Sequence, residues 1–443
     1  MKVRKMKAGI ISLGCCKNLV DSENLIGLLR ESGIEMTTDR NEADVIIINT
    51  CGFIEPAKVE AINTILEICE YKQEKDMKVV VTGCLPQRYK ADLEAEIPEV
   101  DRFISIDEYK DLGPILSEVL GVPVHNNYGK ATRVLSGKPW MAYLKIADGC
   151  DNKCSYCAIP LIRGPYISMP MEELVEEAKR LAESGVKELN LIAQDTTRYG
   201  IDNYGERKLL ELLQKINEIE GLHWIRVLYM YPDEIDDELI EGMAKLDKVL
   251  PYFDIPIQHG NDEMLIAMNR RGTVASIRYL CDKIRAVYDM PVLRTTLITG
   301  YPNETLAMHE DNVNLLKDLK WDRMGAFSYS YEEDTPAYEL EDNVEPEEKE
   351  RRLAELMAVQ EVIAEEKNRE LIGKVLEVMV EKKDGLTGRY HGRSVLSAPD
   401  GIDGEVIFRS DDEYEGGDFV MVKINKAIKH DLLGIVIKEG QES

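Results

Sequence analysis

The first 125 residues alternate short apolar runs with longer stretches of helical periodicity. Lys7-Ala-Gly-Ile-Ile-Ser-Leu-Gly14, Asp44-Val-Ile-Ile-Ile-Asn-Thr50 and Lys78-Val-Val-Val-Thr-Gly83 read as buried strands. Helices are predicted from about Ser22 to Arg30 and from Pro56 toward Tyr71. Such alternation makes residues 1–125 a doubly wound parallel sheet. Residues 126–138 are polar and contain glycine, as in a linker. The alternation resumes over 139–345, with strands near residues 142–147, 187–193, 224–230, 252–258, 292–299 and 323–329. One intervening helix, Pro170 to Glu183, has proline at its start and Gly185 just past its end. Six β/α units without a second sheet predict an incomplete, TIM-like (β/α)6 barrel with its site at the C-terminal strand ends. Charged residues 346–371 keep helical spacing and form a connecting helix. In 372–443 the pattern shortens: Lys374 to Val380, Gly388 to Leu396, Gly404 to Phe408 and Phe419 to Ile424 predict a small antiparallel β-barrel.

The whole is an α/β chain of 443 residues, long enough for two or three cores. No apolar run approaches the roughly 20 residues that span a bilayer. The basic start Met1-Lys-Val-Arg-Lys runs through a short apolar stretch into Gly14-Cys15, which suits a first strand better than a signal peptide. The formal net charge is −27, which opposes non-specific nucleic-acid binding. It either steers a basic partner toward the surface or serves solubility alone. Nine cysteines, an odd number at spacings unlike a disulfide framework, point to reduced thiols in the cytoplasm and to metal ligation.

Cys150-Asp-Asn-Lys-Cys154-Ser-Tyr-Cys157 follows the apolar run Tyr143 to Ala147. Three thiolates this close hold three corners of an iron–sulfur cube and leave the fourth iron open to a small molecule. Structural zinc wants a fourth protein ligand, and electron-transfer clusters are ordinarily ligated by four cysteines. Cys15, Cys51 and Cys84 each follow a predicted strand, so a parallel sheet brings them to one edge, where a second metal cluster would bind. Gly14, Gly52 and Gly83 let the backbone turn closely there. Either Cys15 or Cys16 satisfies the pattern, and Cys15, nearer the strand, is preferred. Cys69 and Cys281 fall in helical patterns and read as packed thiols.

At these residues the chain resembles the methylthiotransferases of the radical S-adenosylmethionine superfamily, over nearly its full length. The resemblance rests on CxxxCxxC with an aromatic before the last cysteine, and on three dispersed cysteines with Asp21-Ser-Glu23 after the first. Ser12-Leu-Gly-Cys-Cys-Lys-Asn-Leu-Val-Asp-Ser-Glu23 is similar to the branch that modifies a ribosomal protein, which usually carries proline where this chain has Cys16. The C-terminal barrel is similar to a TRAM domain, which in relatives binds the macromolecular substrate.

The resemblance implies two 4Fe-4S clusters, one on Cys150, Cys154 and Cys157 and one on Cys15, Cys51 and Cys84. It implies S-adenosylmethionine at the first cluster as the source of a carbon-centred radical, and a sulfur presented by the second. The reaction is addition of a methylthio group to the β-carbon of an aspartate in the twelfth small-subunit ribosomal protein. An external electron donor, a monomeric state and the absence of any direct nucleic-acid or membrane partner go with it. For the cofactor, Tyr156 would shield the cluster or stack on adenine, Gln194 and Asp195 would meet the methionine moiety, and Ile298 in Leu297-Ile-Thr-Gly-Tyr301 would line the adenine. Arg270 and Arg271 would meet a carboxylate of cofactor or substrate, or pair with surface acids. His259 reads first as a hydrogen-bonded structural residue.

Two rival functions share parts of this pattern. A tRNA methylthiotransferase would share the clusters, but residues 372–443 carry ten Lys/Arg against fourteen Asp/Glu, the wrong sign for gripping RNA. A non-catalytic iron–sulfur electron carrier would not need a six-unit barrel beside an open cluster.

Overall fold

A computed structural model describes residues 5–130, 132–399, 401 and 403–437. The first sheet has five parallel strands in the order Glu35–Met36, Lys7–Ser12, Val45–Thr50, Lys78–Gly83, Arg102–Ile104. Val45–Thr50 is buried along its whole length, as a central strand covered on both faces must be. The strand order reverses direction between Lys7–Ser12 and Val45–Thr50, and that crevice is where open parallel sheets bind ligands. The helix expected from Ser22 starts earlier, at Cys16, and runs to Glu31. Its first two turns carry Lys17, Asn18, Asp21, Ser22 and Glu23, polar residues that are nonetheless buried. Apolar periodicity could not mark a helix start made of such residues.

Six parallel strands, Met141–Lys145, Glu188–Ile192, Trp224–Val227, Val249–Asp254, Val292–Thr299 and Arg323–Ser328, stand side by side in chain order as an open partial barrel. The fourth departs from the expected 252–258. It begins and ends earlier; beyond Asp254 the regular ladder gives way to scattered bonds, such as Ile255 N–H to Arg294 O at 2.8 Å, and an isolated bridge from Gln258 to Leu297. Pro256 has no N–H for a ladder, and Gln258 sits at φ +73°, so the strand stops short. Gln258, His259 and Gly260 therefore lie in the loop above the strand.

Helix Pro346–Glu370 leads to a closed five-stranded barrel of Val375–Lys383, Tyr390–Ser394, Val406–Arg409, Phe419–Ile428 and Asp431–Val436. The fifth strand was not expected. Its apolar run Leu432-Leu-Gly-Ile-Val436 does not alternate, and it pairs parallel with Val406–Arg409 in an otherwise antiparallel barrel. This small barrel packs under the partial barrel. Trp224, Leu250 and Val292, near the starts of three strands, share a core with Leu376, Val378, Tyr390 and Val422. Buried Glu188 joins the same seam, accepting from Arg226 Nε at 3.2 Å and from Arg393. Breaking such a buried pair leaves an uncompensated charge, which pins the docking geometry.

The first sheet sits at the opposite end, above the C-terminal strand ends. The segment after residue 125 crosses helix Cys16–Glu31, where Glu23 and Glu31 accept from the Ser136 and Thr132 N–H groups. Gly27 makes this crossing possible, because a Cβ there would collide with the Thr132 carbonyl.

Candidate functional site

Cys150, Cys154 and Cys157 lie in the loop above the first barrel strand, and neighbouring loops hold it at several points. Cys150 N–H donates to Gly164 O at 3.1 Å, and Ser155 N–H donates to Met268 O at 3.0 Å. Ser155 Oγ reaches Ala267 O at 2.9 Å, and Asn269 Nδ2 donates to Lys153 O at 2.7 Å. Lys153 itself takes φ +53°, a left-handed turn just before Cys154. Burial raises the Cys157 thiol, and Cys154 and Cys150 raise it further. Burial also pushes Cys150 up to about 11, with Asp195 and Cys154 adding to it. Thiols that penalise one another's ionisation in this way call for a bound cation to offset three thiolates.

Arg270 is buried against this loop. Its NH1 lies 3.6 Å from Cys154 Sγ, its NH2 donates to Pro256 O at 2.5 Å, and its guanidinium lies 3.9 Å from the Tyr231 ring centre. Among the described residues no carboxylate stands at ion-pair distance from it. Arg271 differs: it pairs with Asp233 at 3.1 Å and Glu234 at 2.9 Å, the surface-acid role foreseen as its alternative. Tyr156 is half-buried and packs with Ile298 against Met264, Met268, Tyr301 and Tyr329. Asp195 is fully buried, accepting from Asn152 Nδ2 at 2.7 Å and from Thr197 Oγ1 at 2.5 Å. Its carboxylate thus grips the cysteine loop, since Asn152 lies between Cys150 and Cys154. Gln194 Nε2 donates to Asp148 at 3.1 Å, while its Oε1 is buried without a partner among the described residues. His259 is engaged on both ring nitrogens, with Asn261 N–H at 3.1 Å and Glu304 at 3.1 Å, and is structural.

The second set assembles at the edge of the first sheet. Cys51 follows strand Val45–Thr50, Cys84 follows Lys78–Gly83, and Cys15 precedes helix Cys16–Glu31. Gly14, at φ +88°, lies so near Cys51 that a Cβ there would fall 2.8 Å from the Cys51 Cβ. Gly83, at φ +99°, turns the chain where a Cβ would strike the Thr50 backbone. Burial, then Cys84, then the Phe53 N–H acting the other way, and then Cys15 set the Cys51 thiol, which is pushed up to about 12. Burial raises Cys84 as well, with Arg163 opposing and Cys15 adding. All three thiols are therefore close enough to feel one another. Cys16 points elsewhere: its Sγ lies 3.5 Å from Tyr229 Oη, above the third barrel strand. It is also the first residue of its helix, and Cys15 before it is extended at φ −90°, ψ 175°. Proline fits such a position.

Asn18 ties the three turns together and was missed in the sequence. Its Nδ2 donates to Leu13 O at 3.1 Å and Thr50 O at 2.9 Å, and its Oδ1 accepts from Cys84 Sγ at 3.5 Å. The Asp21-Ser-Glu23 signature does similar work. Asp21 pairs with Lys145 at 2.6 Å and Arg163 at 2.7 Å, Ser22 donates to Ser12, and Glu23 accepts from Ser136. Arg163 was legible only as one charge on a short apolar helix, Ile159–Arg163, just after the third cysteine. Among the described residues no three Cys, His, Asp or Glu side chains gather tightly enough for one metal ion. A four-iron cube takes each thiolate at a separate corner, so its ligands stand further apart than those of a single ion. Cys69 and Cys281 are buried in apolar cores, as expected of packed thiols.

Three family models match this chain: Uncharacterized protein family UPF0004 over residues 7–105, the Radical SAM superfamily over 144–316 and the TRAM domain over 372–437. A radical SAM domain brings a 4Fe-4S cluster and S-adenosylmethionine with it. Among solved structures, the radical S-adenosylmethionine methyltransferase TsrM from Kitasatospora setae is 14% identical, with TM-score 0.56, covering 86% of this chain and 79% of that one. The cobalamin-dependent S-adenosylmethionine radical enzyme OxsB is 13% identical, with TM-score 0.52, covering 80% and 56%. At these identities the likeness is one of fold. Closer in sequence are proteins named ribosomal protein uS12 methylthiotransferase RimO. That of Acetivibrio thermocellus is 45% identical over 99% of this chain and 100% of its own, and that of Lachnoclostridium phytofermentans is 46% identical over 97% and 99%. The Clostridioides difficile protein of the same name is 44% identical over 98% and 99%. With this likeness over its whole length, the chain belongs to the RimO family of radical S-adenosylmethionine methylthiotransferases.

Proposed function

We propose that this protein adds a methylthio group to the β-carbon of an aspartate in ribosomal protein uS12. Cys150, Cys154 and Cys157 would hold one 4Fe-4S cluster beside S-adenosylmethionine, and Cys15, Cys51 and Cys84 a second. The observation that carries this reading is that the segments bearing the two cysteine sets, from separate parallel sheets, are joined by one buried network of Asn18, Asp21, Lys145, Asp148 and Arg163.

The bound groups supply one-electron cleavage and a transferable sulfur, which no side chain offers to an unactivated carbon. The chain's own residues hold and orient. Asp195 fixes the first loop through Asn152, and Arg270 sets a cation beside Cys154. Tyr156 and Ile298 offer an apolar wall suited to adenine, and the unpartnered Gln194 Oε1 suits an ammonium donor. The net charge of −27 favours encounter with a basic ribosomal protein. An electron donor outside the chain completes the system, and we place the enzyme in the cytoplasm as a monomer. No helix among the described residues is long and apolar enough to cross a membrane.

The test is mass spectrometry of uS12 and of tRNA from a strain lacking the gene. Loss of the methylthio mass from one aspartate peptide, with methylthio-adenosine in tRNA unchanged, is the expected result. An unaltered uS12 peptide would overturn the assignment.

A further inference from the structure

Arg163 belongs to neither cysteine set, yet one guanidinium touches what holds each. Its side chain is only 3% exposed. NH1 donates to Asp21 at 2.7 Å and Asp148 at 3.1 Å, while NH2 donates to Asn18 Oδ1 at 2.6 Å and lies 3.5 Å from Cys84 Sγ. Asp148 directly precedes Gly149-Cys150, and its Oδ1 accepts from Gly149 N–H at 3.0 Å and from Gln194 at 3.1 Å. A continuous chain of contacts therefore runs from Cys84 through Arg163 to the root of the Cys150 loop.

A plain interdomain ion pair would not need this arrangement. Lys145 already reaches both carboxylates, Asp21 at 2.6 Å and Asp148 at 2.9 Å. Although burial works against it, Lys145 and Arg163 hold the Asp148 carboxyl well below its ordinary range. Two cations thus face two carboxylates, and the second arm of Arg163 is left for Asn18 and the sulfur. Only a planar fork can serve both directions at once; a lysine ammonium at this position would be a point charge. Hydrogen bonds to ligand sulfur and nearby charge are among the levers that set an iron–sulfur potential.

We propose that Arg163 is a positioning residue that couples the two sites: its donor toward Cys84 sets the reduction potential of the group held there, and its carboxylate arm fixes that group's seat above the first loop. The proposal rests on the reading that Cys15, Cys51 and Cys84 hold a cluster.

The experiment uses anaerobically reconstituted full-length protein carrying Cys150→Ala, Cys154→Ala and Cys157→Ala, so that only the second site loads. Its potential is followed by electron paramagnetic resonance, with and without Arg163→Met or Arg163→Lys. Losing a cation and a donor disfavours the added electron, so Arg163→Met lowers the potential and Arg163→Lys lowers it less. Asp21→Asn, which removes an opposing charge, raises it. In protein with all six cysteines, Arg163→Met cuts methylthio product about tenfold while 5′-deoxyadenosine formation changes less than about twofold. A potential unchanged in both Arg163 variants, with iron retained, overturns the proposal. Should the methionine variant fail to load iron, the lysine variant decides: a lowered potential supports the proposal and a wild-type value overturns it. Wild-type protein holding about four irons per chain rather than about eight removes the second cluster itself, a separate failure.

Discussion

Cys150, Cys154 and Cys157 share one loop of eight residues, whereas Cys15, Cys51 and Cys84 come from three turns spread over seventy. The first set owes its proximity to the chain and its orientation to other loops, through Met268, Asn269 and Asp195. The second owes its proximity to the parallel sheet and its cohesion to one side chain, Asn18. Their electrostatics differ too. Arg270, beside Cys154, has no carboxylate at ion-pair distance among the described residues, whereas Arg163, beside Cys84, is shared with Asp21 and Asp148. The difference teaches that the CxxxCxxC loop faces an undiluted cation, while the dispersed set sits in a nearly neutral network that also docks one domain on the other.

The sharpest way to break this comparison is at the ligands. Cys154→Ser and Cys84→Ser should each abolish methylthiolation and each remove about half of the iron. Only Cys154→Ser should also abolish 5′-deoxyadenosine formation. Unchanged iron in either variant would end the two-cluster description.

Next in size is Arg270→Met, which removes the cation stacked on Tyr231 and leaves the Pro256 carbonyl without that donor. Cofactor cleavage should fall about 10- to 100-fold, with iron at the second site retained. Equal loss of iron from both sites would mean that Arg270 supports the fold rather than the first loop.

Asn18→Ala should act on the other side of the comparison. It deprives the Leu13 and Thr50 carbonyls of a buried donor and strands one arm of Arg163. A cost of about 2–3 kcal/mol in denaturant unfolding is expected, together with preferential loss of second-site iron. The smallest effect belongs to Cys16→Pro, because the residue opens its helix after an extended Cys15. Stability should change by less than about 0.5 kcal/mol and iron content not at all. Halved iron would make Cys16, not Cys15, the ligand.

Much of the framework was legible because it is encoded locally. Val45-Ile-Ile-Ile and Val79-Val-Val announce buried parallel strands, and CxxxCxxC announces its own proximity. The misplacements share one cause. The helix start at Cys16 and the early end at Asp254 are set by buried polar contacts and by a proline, which apolar periodicity does not register. The fifth strand of the C-terminal barrel was missed because Leu432-Leu-Gly-Ile-Val436 does not alternate, and its Gly434 is needed where a Cβ would press on Val422 and Lys423.

By itself, the order of residues determined the alternation of strands and helices, the three-part architecture and the closeness of Cys150, Cys154 and Cys157, since each depends on neighbours within a few positions. Tertiary structure alone decided that Cys15 faces Cys51 and Cys84 while Cys16 turns to Tyr229. It also decided that Asp195 grips the cysteine loop and that Arg163 bridges the two sites. Those outcomes depend on which buried donor meets which acceptor across distant segments. That is a matter of packing geometry, which residue spacing does not carry.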